Sequence, residues 1–92
     1  MIESFNHKGL EDLFYDGKRR GVPPHLARKL TDILDLLDAA IRVEDLSYPG
    51  SGLHPLKGNM KGMWAVRVTG NWRIVFEFEE GQARRVDLVD YH

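Results

Sequence analysis

The sequence predicts an α+β fold in the order β-α-α-β-β-β, a mainly antiparallel twisted sheet packed on two helices. Three observations carry that expectation. An apolar stripe at i, i+3, i+4 spacing runs through Leu26, Leu30, Ile33, Leu34, Leu37 and Ile41. After Gly52 the apolar period changes from the helical one to two. Turn signals at Gly70-Asn71 and around Gly81 then cut the alternating stretch into three strands, which hairpins must join antiparallel.

Taken in order, Ile2 to Phe5 reads as a short strand. Leu10, Leu13 and Phe14 have helical spacing, and Gly17 reads as the stop. Asp16 to Gly21 is a charged connection. Pro23-Pro24 suits the first turn of a longer helix, because proline lacks only an N–H that a first turn leaves unpaired. That helix should end near Ala40, with Arg28, Lys29, Asp32 and Asp35 on its wet side, and Val43 to Leu46 adds a short helical turn. Ser47 to Gly52 is loop, rich in Ser, Pro and Gly. Trp64, Val66 and Val68 then alternate with Met63, Ala65, Arg67 and Thr69. Trp72, Ile74, Phe76 and Phe78 form one face of the next strand against Arg73, Val75 and Glu77. Val86 and Leu88 mark the last strand, with Arg85 and Asp87 on its other side.

With 92 residues there is room for one core, so residues 1–92 read as a single domain. The 42% hydrophobic and 29% charged fractions are those of an ordinary globular chain. Cysteine is absent, which excludes disulfides and thiolate chemistry. The opening residues lack the basic-then-apolar run of a signal peptide, and no apolar stretch has the length of a membrane span, so the expected compartment is the cytoplasm with no membrane partner. Net charge is −1, but unevenly spread. Residues 1–50 hold seven Lys/Arg against nine Asp/Glu, whereas residues 51–92 hold six against five. The later cations (Lys57, Lys61, Arg67, Arg73, Arg84 and Arg85) hint at a local basic surface, or simply at solvated strand faces.

The chemistry concentrates in three places. In "LHPLKG", Leu53 to Gly58, two leucines can anchor the segment and Pro55 can stiffen it, projecting His54 and Lys57 in a fixed relation. A histidine that titrates near neutrality beside a lysine suits phosphate chemistry; the plainer reading is a solvated loop histidine. Arg73, between the inward Trp72 and Ile74, must face away from the helices beside Arg67 of the neighbouring strand. A guanidinium on a rigid strand is a good bidentate phosphate clamp, against the plainer reading of an ion pair with Glu77 or Asp87. The third place is the terminal "LVDYH". Strict alternation puts Asp90 and His92 on the side of Val86 and Leu88, with Tyr91 opposite. An acid aimed at a core is costly, so either a bulge re-aims the chain, the sheet end is open, or the tail merely frays.

Other chemistries lack support. The four histidines show no metal-ligand spacing, no serine sits in a nucleophile motif, and there is no glycine-rich phosphate loop. No cofactor or metal is expected. A metal-free ribonuclease needs a base for the 2′-hydroxyl, an acid for the 5′-oxygen leaving group, and cations for the phosphate. His54, His92, Lys57 and Arg73 cover that set, with Asp90 to orient an imidazole and Tyr91 to stack on a base or donate a bond. The terminal carboxylate beside His92 favours its protonated form, which suits it as the acid and His54 as the base.

"MIxSFxHKGLxxLF" at the start, "GVP" at Gly21 to Pro23, "LHPLKG", "NWRIxFxF" and the closing "DYH" together resemble the HigB toxins of the RelE-like superfamily, over the whole chain and in the same order. The resemblance implies a ribosome-dependent endoribonuclease that cuts messenger RNA in the A site of the 70S ribosome. It implies neutralisation by a HigA-type helix-turn-helix antitoxin, with operator DNA bound only through that antitoxin. Carried over by position, the family's active-site residues fall on His54, Lys57, Arg73, Asp90, Tyr91 and His92. With a sequence pI near 6.4, attraction to ribosomal phosphates must come from a local patch rather than net charge. Two rivals remain at this point: a non-enzymatic inhibitor of a protein such as gyrase, and a non-toxic corepressor.

Overall fold

A computed structural model describes residues 1–91. Helix α1 spans Lys8–Asp16 and α2 spans Ala27–Ala39. A four-stranded antiparallel sheet follows in the order β1-β2-β3-β4, made of His54–Pro55, Met63–Thr69, Trp72–Glu79 and Gln82–Asp90. The expected architecture of two helices on an antiparallel sheet is therefore observed.

Each helix has local causes. The Leu10 N–H donates to His7 Nδ1 at 3.1 Å, capping α1. Gly17 ends it in the left-handed conformation, φ +69°, donating its N–H to the carbonyls of Asp12 and Leu13. Pro24–Leu26 forms a 3₁₀ turn that leads directly into α2, as the paired prolines suggested. On α2, Leu30, Ile33, Leu34 and Leu37 are buried against the sheet. Ile41 departs from the stripe that the sequence suggested: it lies beyond the helix and is 78% exposed. The helix stops at Ala39 because Ala40 is extended, with ψ 135°. Val43–Leu46 is a 3₁₀ turn whose Asp45 Oδ2 accepts the N–H groups of Ile41 and Arg42.

The core lies between the helices and one face of the sheet. Val66, Val68, Ile74, Phe76, Ala83, Val86 and Leu88 meet Leu10, Leu26, Leu30, Leu34 and Leu37 there. The β2–β3 hairpin turns at Gly70, whose φ of +53° a residue with a side chain adopts reluctantly. The fourth strand arises where the sequence suggested only a connecting segment: His54 and Pro55 pair with Ala65 and Trp64, and the Leu56 N–H continues the contact to the Met63 carbonyl at 2.8 Å.

The N-terminal segment does not form a full strand. It touches β4 at two isolated parallel bridges, Ile2 with Ala83 and Phe5 with Val86. The Ile2 N–H donates to Asp38 Oδ1 at 2.8 Å, so the segment is tied to α2 as well as to the sheet edge. An unpaired β4 edge would invite pairing with another chain, and this segment covers it.

Two features of the sheet depart from simple alternation. The β3–β4 register shifts between Val75 and Glu77, where Arg85 adopts φ +55° and forms a bulge. Ala83 and Val86 consequently both face the helices although three positions separate them. On the opposite face Met63, Ala65 and Val75 are buried in a second small apolar cluster, with Leu56, Met60 and Val89 packed against it. The hairpin tip, a 3₁₀ turn at Gly58–Met60, folds over this face to build that cluster.

Candidate active site

The sheet face turned away from the helices carries the candidate chemistry. Residues directly opposite in a ladder share a face, and His54 is opposite Ala65, which is opposite Val75. Arg67 is opposite Arg73, and Arg73 is opposite Val89. Ala65, Val75 and Val89 belong to the second cluster, so His54, Arg67 and Arg73 stand on that apolar floor. Tyr91 follows by alternation from Val89 and meets Arg73 there: the guanidinium carbon lies 5.9 Å from the ring centroid.

His54 is exposed, and its ring is oriented by backbone. Its Nδ1 donates to the Gly52 carbonyl at 2.8 Å. A carbonyl oxygen only accepts, so Nδ1 carries the proton and the neutral ring keeps its lone pair on Nε2. The Gly52 carbonyl is itself fixed by Ser51, the one buried polar residue among the described residues, at 2% exposure. The Ser51 N–H donates to Tyr48, its carbonyl accepts from Arg67 at 2.7 Å, and its hydroxyl oxygen accepts the Leu53 N–H at 3.3 Å. Ser51 is a residue that sequence reasoning missed. A lone serine in a loop carries no pattern, and only burial distinguishes it.

Arg73 is half-buried and tethered, its Nη1 donating to the Gly70 carbonyl at 2.7 Å and the Trp72 carbonyl at 3.0 Å. The alternative ion pair with Glu77 or Asp87 does not form. Glu77 Oε1 instead takes Arg85 Nη1 at 3.1 Å, and Asp87 Oδ1 accepts the Leu88 N–H. Tyr91 is placed by its own backbone, whose N–H donates to the Asn71 carbonyl at 2.8 Å. The β2–β3 turn thus holds both Arg73 and the end of β4, and the tail is no loose appendage as far as Tyr91.

The remaining expected residues are less converged. Lys57 is exposed at the hairpin tip, on the residue before the 3₁₀ turn; its carbonyl accepts the Met60 N–H at 3.4 Å, and its ammonium makes no hydrogen bond or ion pair among the described residues. Asp90 pairs with Trp72 at the end of the sheet and is exposed there, on the Trp72 side rather than the Tyr91 side. Of the possibilities for this acid, the open sheet end is the one realised; the bulge lies upstream at Arg85. His92 lies outside the described residues. Among the described residues no enclosed pocket forms, so the site is an open surface. No group of three or more His, Asp or Glu side chains among them is arranged to hold a metal ion.

The family described as RelE-like toxin of type II toxin-antitoxin system HigB matches residues 3–92. This chain belongs to that family. The HigB-like assignment is supported by relatives across the length. The chain is 42% identical over 92 residues to Endoribonuclease HigB of Proteus vulgaris, covering 100% of both chains. It is 36% identical over 85 residues to Toxin HigB-1 of Vibrio cholerae serotype O1, covering 90% of each. Solved structures agree on the RelE-like fold at low identity. YafQ from E. coli strain BL21(DE3) aligns with a TM-score of 0.64 at 17% identity, covering 98% of this chain and 91% of that one. YoeB in a YoeB–YefM complex from Staphylococcus aureus aligns at 0.63 and 18%, covering 100% and 95%. No helix among the described residues is long and apolar enough to cross a membrane.

Proposed function

We propose that this HigB-like chain is an endoribonuclease that cleaves messenger RNA in the ribosomal A site by metal-free acid–base chemistry. The observation that carries the reading is the joint placement of His54, Arg73 and Tyr91 on one open face, with the His54 lone pair fixed on Nε2. His54 Nε2 takes the proton from the 2′-hydroxyl, and the 2′-oxygen attacks the adjacent phosphorus. The bond to the 5′-oxygen breaks, and that oxygen leaves with a proton from His92. A cyclic phosphate remains on one fragment and a 5′-hydroxyl on the other. Arg73 and Lys57 balance the charge that accumulates on the phosphate oxygens, and Asp90 orients the His92 imidazole. Tyr91, backed by the Arg73 guanidinium, offers a ring on which a base can stack.

An open face without an enclosed pocket fits ribosome dependence. A surface of this kind cannot by itself hold a flexible RNA in line for attack, and a ribosome that fixes the message supplies that positioning. The partner is a HigA-type helix-turn-helix antitoxin, and the complex represses its own operon through the antitoxin's DNA contacts. Family membership and the antitoxin-bound YoeB neighbour support that pairing.

The test is primer extension on transcripts after induction in cells, and on purified messages with and without ribosomes. Wild-type protein should cut translated messages only when ribosomes are present. His54→Ala should lower the cleavage rate on the order of 10²-fold or more, with the fold intact. Intact transcripts together with a DNA-supercoiling defect would overturn the reading in favour of a gyrase inhibitor. Harmless expression without cleavage would leave a corepressor.

A further inference from the structure

Arg67 has no part in the mechanism above, yet its surroundings are unusual. It stands directly opposite Arg73 in the β2–β3 ladder, so the two Cβ atoms are about 5 Å apart on the open face. Two cations in facing positions repel, and sheets normally place an opposite charge or an apolar partner there. Among the described residues, the acids on the same face form no ion pair with either arginine. The flanking positions in register are Ala65, Val75 and Val89. Glu77 lies beyond Val75 and is taken by Arg85, and Asp87, diagonal to Arg73, turns an oxygen to the Leu88 N–H. Asp90 is opposite Trp72, whose side chain belongs to the helix face.

The two arginines also differ in how they are held. Arg73 is tethered to two backbone carbonyls and lies by the Tyr91 ring. Arg67 is exposed, and its guanidinium makes no hydrogen bond or ion pair among the described residues. Its strand is the one that pairs with β1, and His54 is opposite Ala65, two positions from Arg67 on the same face. The backbone of Arg67 donates to Ser51, which fixes the carbonyl that orients His54. Arg67 therefore stands between the His54 imidazole and Arg73, beside the apolar cluster of Met63, Ala65 and Val75.

We propose that Arg67 is a second phosphate-binding residue, closing with Arg73 a two-guanidinium clamp on the RNA phosphodiester that His54 serves. An anion between the two forks converts their repulsion into paired charge-assisted bonds, and Arg67 supplies the donors that Arg73 spends on Gly70 and Trp72. The proposal rests on the RNA-cleavage reading.

It is tested by fluorescence anisotropy with a short single-stranded 2′-O-methyl RNA, which binds but lacks the attacking hydroxyl. Arg67→Gln should lower the slope of log affinity against log salt by about 0.7, the value for one phosphate contact on a single strand, and Arg73→Gln should do the same. Arg67→Lys should keep the slope, because the charge remains, while binding more weakly than wild type. Lys29→Gln on α2, on the far side of the molecule, should change neither, and melting curves should show all four variants folded. A wild-type slope in Arg67→Gln with a lowered slope in Arg73→Gln overturns the clamp and leaves the RNA reading standing. If wild-type protein shows no salt-dependent binding and leaves transcripts intact after induction, the RNA reading fails and the clamp fails with it.

Discussion

Replacing Gly9 by alanine should destabilise this protein although alanine is the better helix former. Gly9 lies in the first turn of α1, buried against the segment that leads to α2. A Cβ built there meets the Gly21 carbonyl oxygen at 2.0 Å, the Gly21 carbonyl carbon at 2.6 Å and the His7 ring at 2.9 Å. Real Cβ contacts essentially never fall under 3.0 Å, so the oxygen contact must open by 3.0 − 2.0 = 1.0 Å. Backbone flanks the gap on both sides, so no side-chain rotation relieves it. Overpacking of this kind costs about 3 kcal/mol. The helix preference for alanine over glycine returns up to about 1 kcal/mol. The net loss is about 2 kcal/mol, or roughly 8–16 °C in Tm for a domain of this size. Thermal and urea unfolding followed by circular dichroism measure it directly. A Gly9→Ala protein that melts at or above the wild-type temperature would refute the close approach and the reasoning from it. Gly21→Ala should behave alike, since its Cβ would meet Gly9 Cα at 2.6 Å.

Two further outcomes follow from particular groups. The Tyr48 hydroxyl is buried without a partner among the described residues, and burial raises its pKa above 10.0. Tyr48→Phe should therefore stabilise the fold by about 1 kcal/mol near neutral pH. The sign at high pH is fixed too. The unfolded chain ionises Tyr48 at about 10, while the folded protein keeps it neutral, so wild type loses stability relative to the variant as pH rises through 10. Urea titrations on both proteins across that range check it. Deleting Tyr91 and His92 removes, among the described residues, the backbone hydrogen bond from Tyr91 to Asn71 and the contact of the Tyr91 ring with Arg73, and should cost about 2 kcal/mol or less in urea unfolding while abolishing transcript cleavage.

Much of the fold was legible because its causes are local. The α2 stripe, the α1 stop at Gly17, the proline-led start of α2 and the two hairpin turns are each settled by a few neighbouring residues. The orientation of Arg73 was legible for the same reason, since alternation fixes a strand residue's face once one face is apolar. Part of the site was not. Nothing in the sequence of β1 shows period two, because two residues are too few to show a period, and its pairing depends on β2. The carbonyl that fixes the His54 tautomer comes from Gly52, and its support comes from the burial of Ser51. Met63, Ala65 and Val75 look like the wet side of two hairpin strands until the 58–60 turn covers them.

The sequence by itself determined the helices, the meander and the residue types needed for acid–base work on a phosphate, because periodicity and turn chemistry act within a few residues. Tertiary structure alone decided which of those groups share a surface. It laid the N-terminal segment parallel along β4, set the Arg85 bulge, and faced Arg67 with Arg73. It also gave meaning to the two glycines of "HKGL" and "GVP", which touch across the connection between the helices. Such contacts depend on where distant segments come to rest, and no pattern of near neighbours encodes that.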